Sequence, residues 1–179
     1  DRYSVDADQS HYVGNGWGIG YGASYVYSFD RDYQCYDVAE NVNQTQDTDY
    51  RLREHKTDLY FSASKQFESG LSFSASLKGE YYKVGEYEKW ALYPQFSLNY
   101  SKTPRHIFQI GLSTDKTYPK YWAMLSSISY VDGYSEIHGS PGIRPSTEYS
   151  LNAAYIYDMR YVFAAFITHA DDYFAQSPY

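Results

Sequence analysis

The chain holds one cysteine, Cys35, in 179 residues, so no internal disulfide can form. No His or Cys lies near enough to it in sequence to suggest a metal site. Long apolar runs are missing too: none approaches the roughly 18 residues a helix needs to cross a bilayer. Mean hydropathy is −0.63. That excludes helical spans but leaves strand spans open, because half of each barrel strand faces inward and is polar. There is no cluster of Lys or Arg and the net charge is −7, which argues against nucleic acid as a partner. No Met-led apolar leader opens the chain, which starts at Asp1. Removal of a signal peptide and excision from a longer protein both fit an exported product.

Tyrosine is abundant: 24 residues, within an aromatic fraction of 20%. An apolar ring with a wet hydroxyl suits half-buried places such as membrane interfaces and ligand-contact surfaces. Apolar side chains also recur at every second position. Leu71, Phe73, Ala75 and Leu77 alternate with Ser72, Ser74, Ser76 and Lys78. Only a strand sends neighbours to opposite faces, so such a run separates an apolar environment from a polar one. Runs of about nine to eleven residues are the length a bilayer-spanning barrel strand requires.

The alternation predicts seven strands, at 17–29, 58–67, 71–82, 92–100, 107–114, 147–157 and 161–168. In the first, Trp17, Ile19, Tyr21, Ala23, Tyr25 and Tyr27 oppose Gly18, Gly20, Gly22, Ser24, Val26 and Ser28. Lys65 interrupts the apolar face of the second, and Pro94, which cannot donate to a ladder, is expected near the start of the fourth. Short turns at 68–70, 102–105 and 158–160 alternate with long loops at 30–57, 83–91 and 115–146. In an antiparallel meander alternate connections lie at opposite ends, so the short turns share one end and the long loops the other. The expected fold is therefore all-β, an antiparallel up-and-down meander forming one section of a transmembrane β-barrel over residues 1–179. Barrels of the bacterial type have even strand numbers from eight upward, so seven strands read as part of a larger wall whose edges pair with further strands.

Three stretches carry a family likeness. They are Tyr93-Pro94-Gln95-Phe96-Ser97-Leu98-Asn99-Tyr100, Tyr118-Pro119-Lys120-Tyr121-Trp122, and Gly139-Ser140-Pro141-Gly142-Ile143-Arg144-Pro145-Ser146-Thr147-Glu148-Tyr149. In order and spacing they resemble the aromatic-Pro-Ser-x-x-Leu-x-Tyr, Arg-Pro-x-Tyr and Gly-Asn-Pro-x-Leu-x-Pro-Glu-x-Thr steps of TonB-dependent receptors of the type abundant in Bacteroidetes. The likeness covers 58–174, with Asp115-Lys116-Thr117 in place of a Ser/Arg-rich step and Ser140 in place of Asn. It implies a bacterial outer-membrane location, lipid against the outer wall, and a nutrient ligand, not identified by sequence, that meets the long loops. Nothing in the chain resembles the plug domain or the energy-coupling box. The resemblance therefore implies a barrel portion whose energised uptake needs the plug, and TonB acting on it.

Other motifs read more cheaply as structure. The glycines at 14, 16, 18, 20 and 22 lack the strand-turn-helix context of a phosphate loop, and fit a strand that leaves room for an inserted domain or packed neighbour. His11, His55, His106, His138 and His169 have no ligand spacing, so neither metal nor cofactor is expected. His138 with Asp132 and Glu136 lacks a nucleophile motif, and the carboxylate pairs Asp171-Asp172 and Glu86/Glu88 read as solvated surface; no catalysis is expected. Asn43-Gln44-Thr45 and Asn99-Tyr100-Ser101 match the glycosylation pattern, which means little in a bacterial export product. Among Tyr118, Tyr121, Trp122, Tyr130 and Tyr134, an interfacial girdle or internal packing competes with stacking on a sugar, siderophore or peptide. Tyr121, Trp122 and Arg144 are the ligand-contact candidates.

Three alternatives stand beside the receptor reading. One is a soluble β-sandwich that binds carbohydrate, with its apolar faces packed on each other. Another is a complete eight-stranded barrel for adhesion or structure, with residues 1–10 supplying the last strand. The third, a lipase or protease barrel, requires a nucleophile constellation that the sequence does not display. Heat-modifiable migration after refolding in detergent is the result expected for a membrane barrel, whereas detergent-free solubility with a cooperative melt would favour the sandwich.

Overall fold

A computed structural model describes residues 1–34, 48–103, 105–124, 128–130 and 136–175. Those described residues form ten strands: β1 (Arg2–Val13), β2 (Trp17–Gln34), β3 (Thr48–Gln66), β4 (Leu71–Val84), β5 (Tyr87–Thr103), β6 (His106–Thr117), β7 (Ile128–Tyr130), β8 (Glu136–His138), β9 (Ser146–Tyr157) and β10 (Tyr161–Asp171). Eight of them form one antiparallel sheet in the order β1-β2-β3-β4-β5-β6-β9-β10, the meander expected. β7 and β8 make a small hairpin between β6 and β9, after a 3₁₀ turn at Tyr121–Met124.

The register turns sequence alternation into two surfaces. One row across the eight strands reads His11, Ile19, Ala63, Ala75, Phe96, Leu112, Leu151, Ile167. The adjacent row reads Tyr12, Gly18, Ser64, Ser74, Ser97, Gly111, Asn152, Phe166. The apolar surface is not covered: Leu59, Phe61, Leu92 and Ile167 are more than half exposed. On the polar surface Glu80 is 0% exposed, Tyr82 1% and Tyr93 3%. This inverts the usual order of a water-soluble protein. No second sheet packs on the apolar surface among the described residues, so the sandwich alternative fails.

Aromatic rows bound the apolar stripe. At one margin Tyr3 stacks on Tyr27 and Tyr81 lies 5.0 Å from Trp90. At the other, Phe108, Tyr155 and Phe163 form a ladder with centroids 4.5 and 6.3 Å apart. Lys65, which breaks the stripe, sits over the rings of Trp17 and Phe67 at 5.0 and 4.8 Å, its charge at the margin. From Leu71 to Tyr81 the chain rises about 33 Å at the usual strand pitch, and the ~40° tilt of barrel strands reduces that to about 25 Å. That equals the apolar height such barrels present to lipid.

Several boundaries differ from expectation. Residues 2–13 form β1, paired with β2, where alternation gave no strand except as a last strand of a small barrel. Within the loop expected at 30–57, residues 30–34 and 48–57 are strand instead, as β2 and β3 continue as a polar ribbon from Asp30↔Leu52 to Gln34↔Thr48; 35–47 lie outside the described residues. The loop expected at 83–91 is a tight turn at Gly85 (φ 56°) and Glu86, with β4 and β5 paired up to Val84↔Tyr87. The segment 115–146 carries the end of β6, the 3₁₀ turn and the β7–β8 hairpin. These extensions have polar side chains on both faces, which removes the period-2 signal. The short connections at 14–16, 67–70 and 158–160, and the step from β5 to β6, do share one end of the sheet.

The glycines of β2 admit a packed neighbour, one of the two occupants expected. A Cβ on Gly22 would lie 2.6 Å from the Tyr60 ring and 2.7 Å from the Ala7 carbonyl oxygen. One of those obstacles is backbone, so Gly22→Ala must displace β1. We expect a loss of about 1–3 kcal/mol, read as a lower urea midpoint in detergent. Gly14→Ala, at a position with nothing within 4 Å, should leave the midpoint unchanged.

Candidate functional site

The polar surface is interrupted where β5 loses its second neighbour. β4 stays paired along the length of β5, with Leu77 opposite Pro94. The β5–β6 ladder, however, begins only at Phe96↔Leu112. Pro94 therefore sits in mid-strand and not near its start, at the point where its missing N–H costs no ladder bond. The Thr114 hydroxyl donates to the Pro94 carbonyl at 2.7 Å. Beyond that contact β6 leaves β5 while keeping β9, to Thr117↔Ser146. This carries Lys116 and Tyr118 across β5 to side chains of β4.

Those two residues meet Glu80. Lys116 Nζ and the Tyr118 hydroxyl both donate to its carboxylate, one to each oxygen. Lys78 and Lys56 lie 3.7 and 3.8 Å away. The Lys116 ammonium also sits 4.8 Å from the centroids of Tyr82 and Tyr118 and 5.6 Å from that of Tyr93. Three rings and one carboxylate thus replace the water it has lost, and its side chain is 6% exposed. Asp58 completes the group: its Oδ2 lies 3.5 Å from Lys56 and accepts from Ser24 at 3.4 Å. Among the described residues its Oδ1 and the Tyr93 hydroxyl are buried with no hydrogen-bond partner.

Beside this cluster lies a cavity of about 410 Å³, lined by Lys56, Tyr60, Ser76, Lys78, Tyr93, Gln95, Thr114, Asp115, Lys116 and Tyr118. Ammonium groups, amide, hydroxyls and ring faces on one wall suit a polar ligand held by hydrogen bonds and stacking. Alternation along β4 puts Glu80 on the polar face with Ser76 and Lys78, and so marks it. The same rule puts Lys116 with Phe108, Ile110 and Leu112 on the apolar face. Only the departure of β6 from β5 brings it inward.

The structure separates the ligand-contact candidates. Tyr121 and Trp122 share the 3₁₀ turn, and the Tyr121 hydroxyl donates to the Tyr50 carbonyl at 3.1 Å, anchoring the turn on the β2–β3 ribbon. Trp122 is 38% exposed. Arg144 is exposed in the segment entering β9, and among the described residues no hydrogen bond or ring contact joins it to the other two. Glu88 ion-pairs Lys83 at 3.3 Å and Asp171 contacts His169 at 3.0 Å. No group of three or more His, Cys, Asp or Glu among the described residues is disposed to hold a metal. Cys35, Asn43-Gln44-Thr45, Asp132 and Tyr134 lie outside the described residues. On the β2–β3 ribbon, beyond the apolar stripe, Arg31 donates to Asp49 at 2.7 and 2.9 Å, and those bonds hold the carboxyl below its ordinary range.

An apolar stripe of bilayer height, bounded by aromatic rows and backed by a polar surface with buried charge, is a barrel wall. The model of the outer membrane protein beta-barrel family matches residues 1–179. The chain belongs to that family. Its place is the bacterial outer membrane, where barrels turn an apolar surface to lipid and a polar one to the lumen. A search of curated proteins returns no match.

Removing one partner from a buried ion cluster leaves a charge without compensation, which costs about 3–5 kcal/mol. Glu80→Gln strands Lys116 among the rings and should cost near that amount. Lys116→Met leaves Glu80 with Lys56, Lys78 and Tyr118, and should cost less. The double variant should fall well short of the sum of the two, as read from urea unfolding of the refolded barrel.

Proposed function

We propose that this outer-membrane barrel chain forms part of the wall of a TonB-dependent receptor that imports a nutrient ligand in a Bacteroidetes-type bacterium. The observation that carries the reading is the lumen cavity. A wall that served only as structure would fill this position with packed side chains, whereas here a space lined by Lys and Tyr opens beside the ion cluster. The three receptor-like stretches meet around it. Tyr93 belongs to the first and Tyr118 to the second, while Thr147 of the third pairs with Lys116. Trp122 and Arg144 stand at the loop end as first contacts for the ligand. The chain's role is non-catalytic. Energy comes from TonB acting on a plug domain, and β1 and β10 pair with neighbouring strands of the complete barrel.

A second reading is favoured by one observation. The sheet has eight strands, an even number, so β1 and β10 run antiparallel and satisfy the parity needed to close on each other as a small barrel. Closing a barrel staggers the register of its two edge strands by a fixed shear, which sets the first residues of β1 beside the first residues of β10. Cysteine pairs that combine Tyr3 or Val5 with Tyr161 or Phe163 therefore separate the two in native membranes: cross-links form in a small closed barrel and not in a larger wall.

The receptor reading is tested by uptake. Cells producing the receptor with its plug domain and this chain in its wall are given a labelled panel of siderophores, corrinoids and oligosaccharides, with and without an uncoupler. Uptake that depends on the chain, and falls to background with the uncoupler or without TonB, is the expected result. Chain-dependent uptake that survives the uncoupler overturns it.

A further inference from the structure

The lipid-facing surface of β6, β9 and β10 is not uniform. At its short-turn margin stand His106, Tyr157 and Tyr161, and in the next row Phe108, Tyr155 and Phe163 stack. The next row toward the middle of the bilayer reads Ile110, Ala153, Ala165, so two methyl groups lie side by side where neighbouring rows carry large side chains. Leu112, Leu151 and Ile167 follow. The step from rings to alanines and back to branched side chains leaves an apolar groove of about 340 Å³. Among its outward-facing lining residues the side-chain donor or acceptor is the Tyr155 hydroxyl, which is bonded to His106 Nδ1 at 2.8 Å; Gln109, Ala154 and Ala164 lie in the alternate register, on the polar face.

Two guanidinium groups stand below the groove. Arg105 and Arg160 come from adjacent turns, joined where the Asp158 N–H donates to the Arg105 carbonyl at 2.8 Å. Each directs its Nε toward Asp158, at 3.7 and 3.8 Å, beyond hydrogen-bond length. Their side chains are 74% and 77% exposed. Two cations against one carboxylate leave a net positive point, with the outer guanidinium donors of both arginines directed at no protein acceptor among the described residues. Guanidinium donors are spaced to grip phosphate oxygens in pairs. Arg160, just before β10, and Ala165 within it are separated by about 16 Å of chain at strand pitch. With barrel tilt that is about 12 Å of depth, inside one leaflet of a hydrocarbon core about 30 Å thick.

We propose that this surface is a binding site for one glycerophospholipid, with its phosphate on Arg105 and Arg160 and an acyl chain laid across Ala153 and Ala165. The short-turn end of such barrels faces the periplasm, so the lipid comes from the inner leaflet. The groove gives shape, the two arginines give charge, and neither alone distinguishes this patch from the rest of the stripe. The proposal rests on membership of the barrel family and not on the receptor reading.

Native mass spectrometry of the full chain, released from detergent after incubation with phosphatidylglycerol or with uncharged diacylglycerol, tests it. The expected result is one phosphatidylglycerol adduct and no diacylglycerol adduct. The Arg105→Ala/Arg160→Ala pair should weaken retention at least about tenfold, the loss of one charged hydrogen bond or more. Ala165→Phe, which fills the groove and keeps both charges, should also weaken it. Heat-modifiable migration of each variant confirms that the barrel is folded. Equal retention of both lipids, or retention unchanged in the folded arginine variant, overturns the proposal. A second copy of the chain on the groove in place of lipid, seen as a dimer mass lost in Ala165→Phe, overturns it too.

Discussion

Hydrocarbon supplies no hydrogen bonds, and every other feature of this wall follows from that constraint. A strand inside the bilayer must place each N–H and C=O on a neighbouring strand, because an unpaired group there costs several kcal/mol. The meander meets most of this demand by antiparallel pairing, with a register that runs without interruption from β1 to β5 and from β6 to β10. Side chains are then free to divide by face, apolar toward lipid and Ser, Gly and Asn toward the lumen. The ladder is the condition, and the alternation is its consequence.

The one large departure from even pairing lies between β5 and β6, midway along the stripe, and it makes the lumen site. β5 gives up β6 above Phe96, at a proline that has no N–H to lose. β6 then crosses the lumen face and sets Lys116 and Tyr118 on Glu80. The separation is tolerable there because Pro94 offers its carbonyl to Thr114 and the polar side chains nearby satisfy one another. Burying Glu80 is costly and is offset by two direct donors and two further ammonium groups. A break in the ladder and a buried ion cluster are thus two parts of one arrangement.

Much of the wall was legible in sequence because its signal is local. The alternation at 71–77 marks β4, and that from Trp17 to Phe29 marks the membrane part of β2. β1 escaped notice because Gln9 and His11 fall on its outward face. The polar ribbon of β2 and β3 was invisible for a related reason: beyond the bilayer both faces meet water, and alternation has nothing to separate. Of the site, Glu80 could be placed on the polar face by parity, whereas Lys116 could not, because parity assigns it to lipid.

By itself the sequence determined the fold class, the membrane surface and the direction of most side chains, since a period of two is set by neighbours along one strand. Tertiary structure alone decided the number of strands, the ladder break at Pro94, the Glu80–Lys116 meeting, and the pairing of Arg105 with Arg160. Each of these depends on which residues become neighbours across the sheet, and cross-strand distance leaves no mark in the order of residues along the chain.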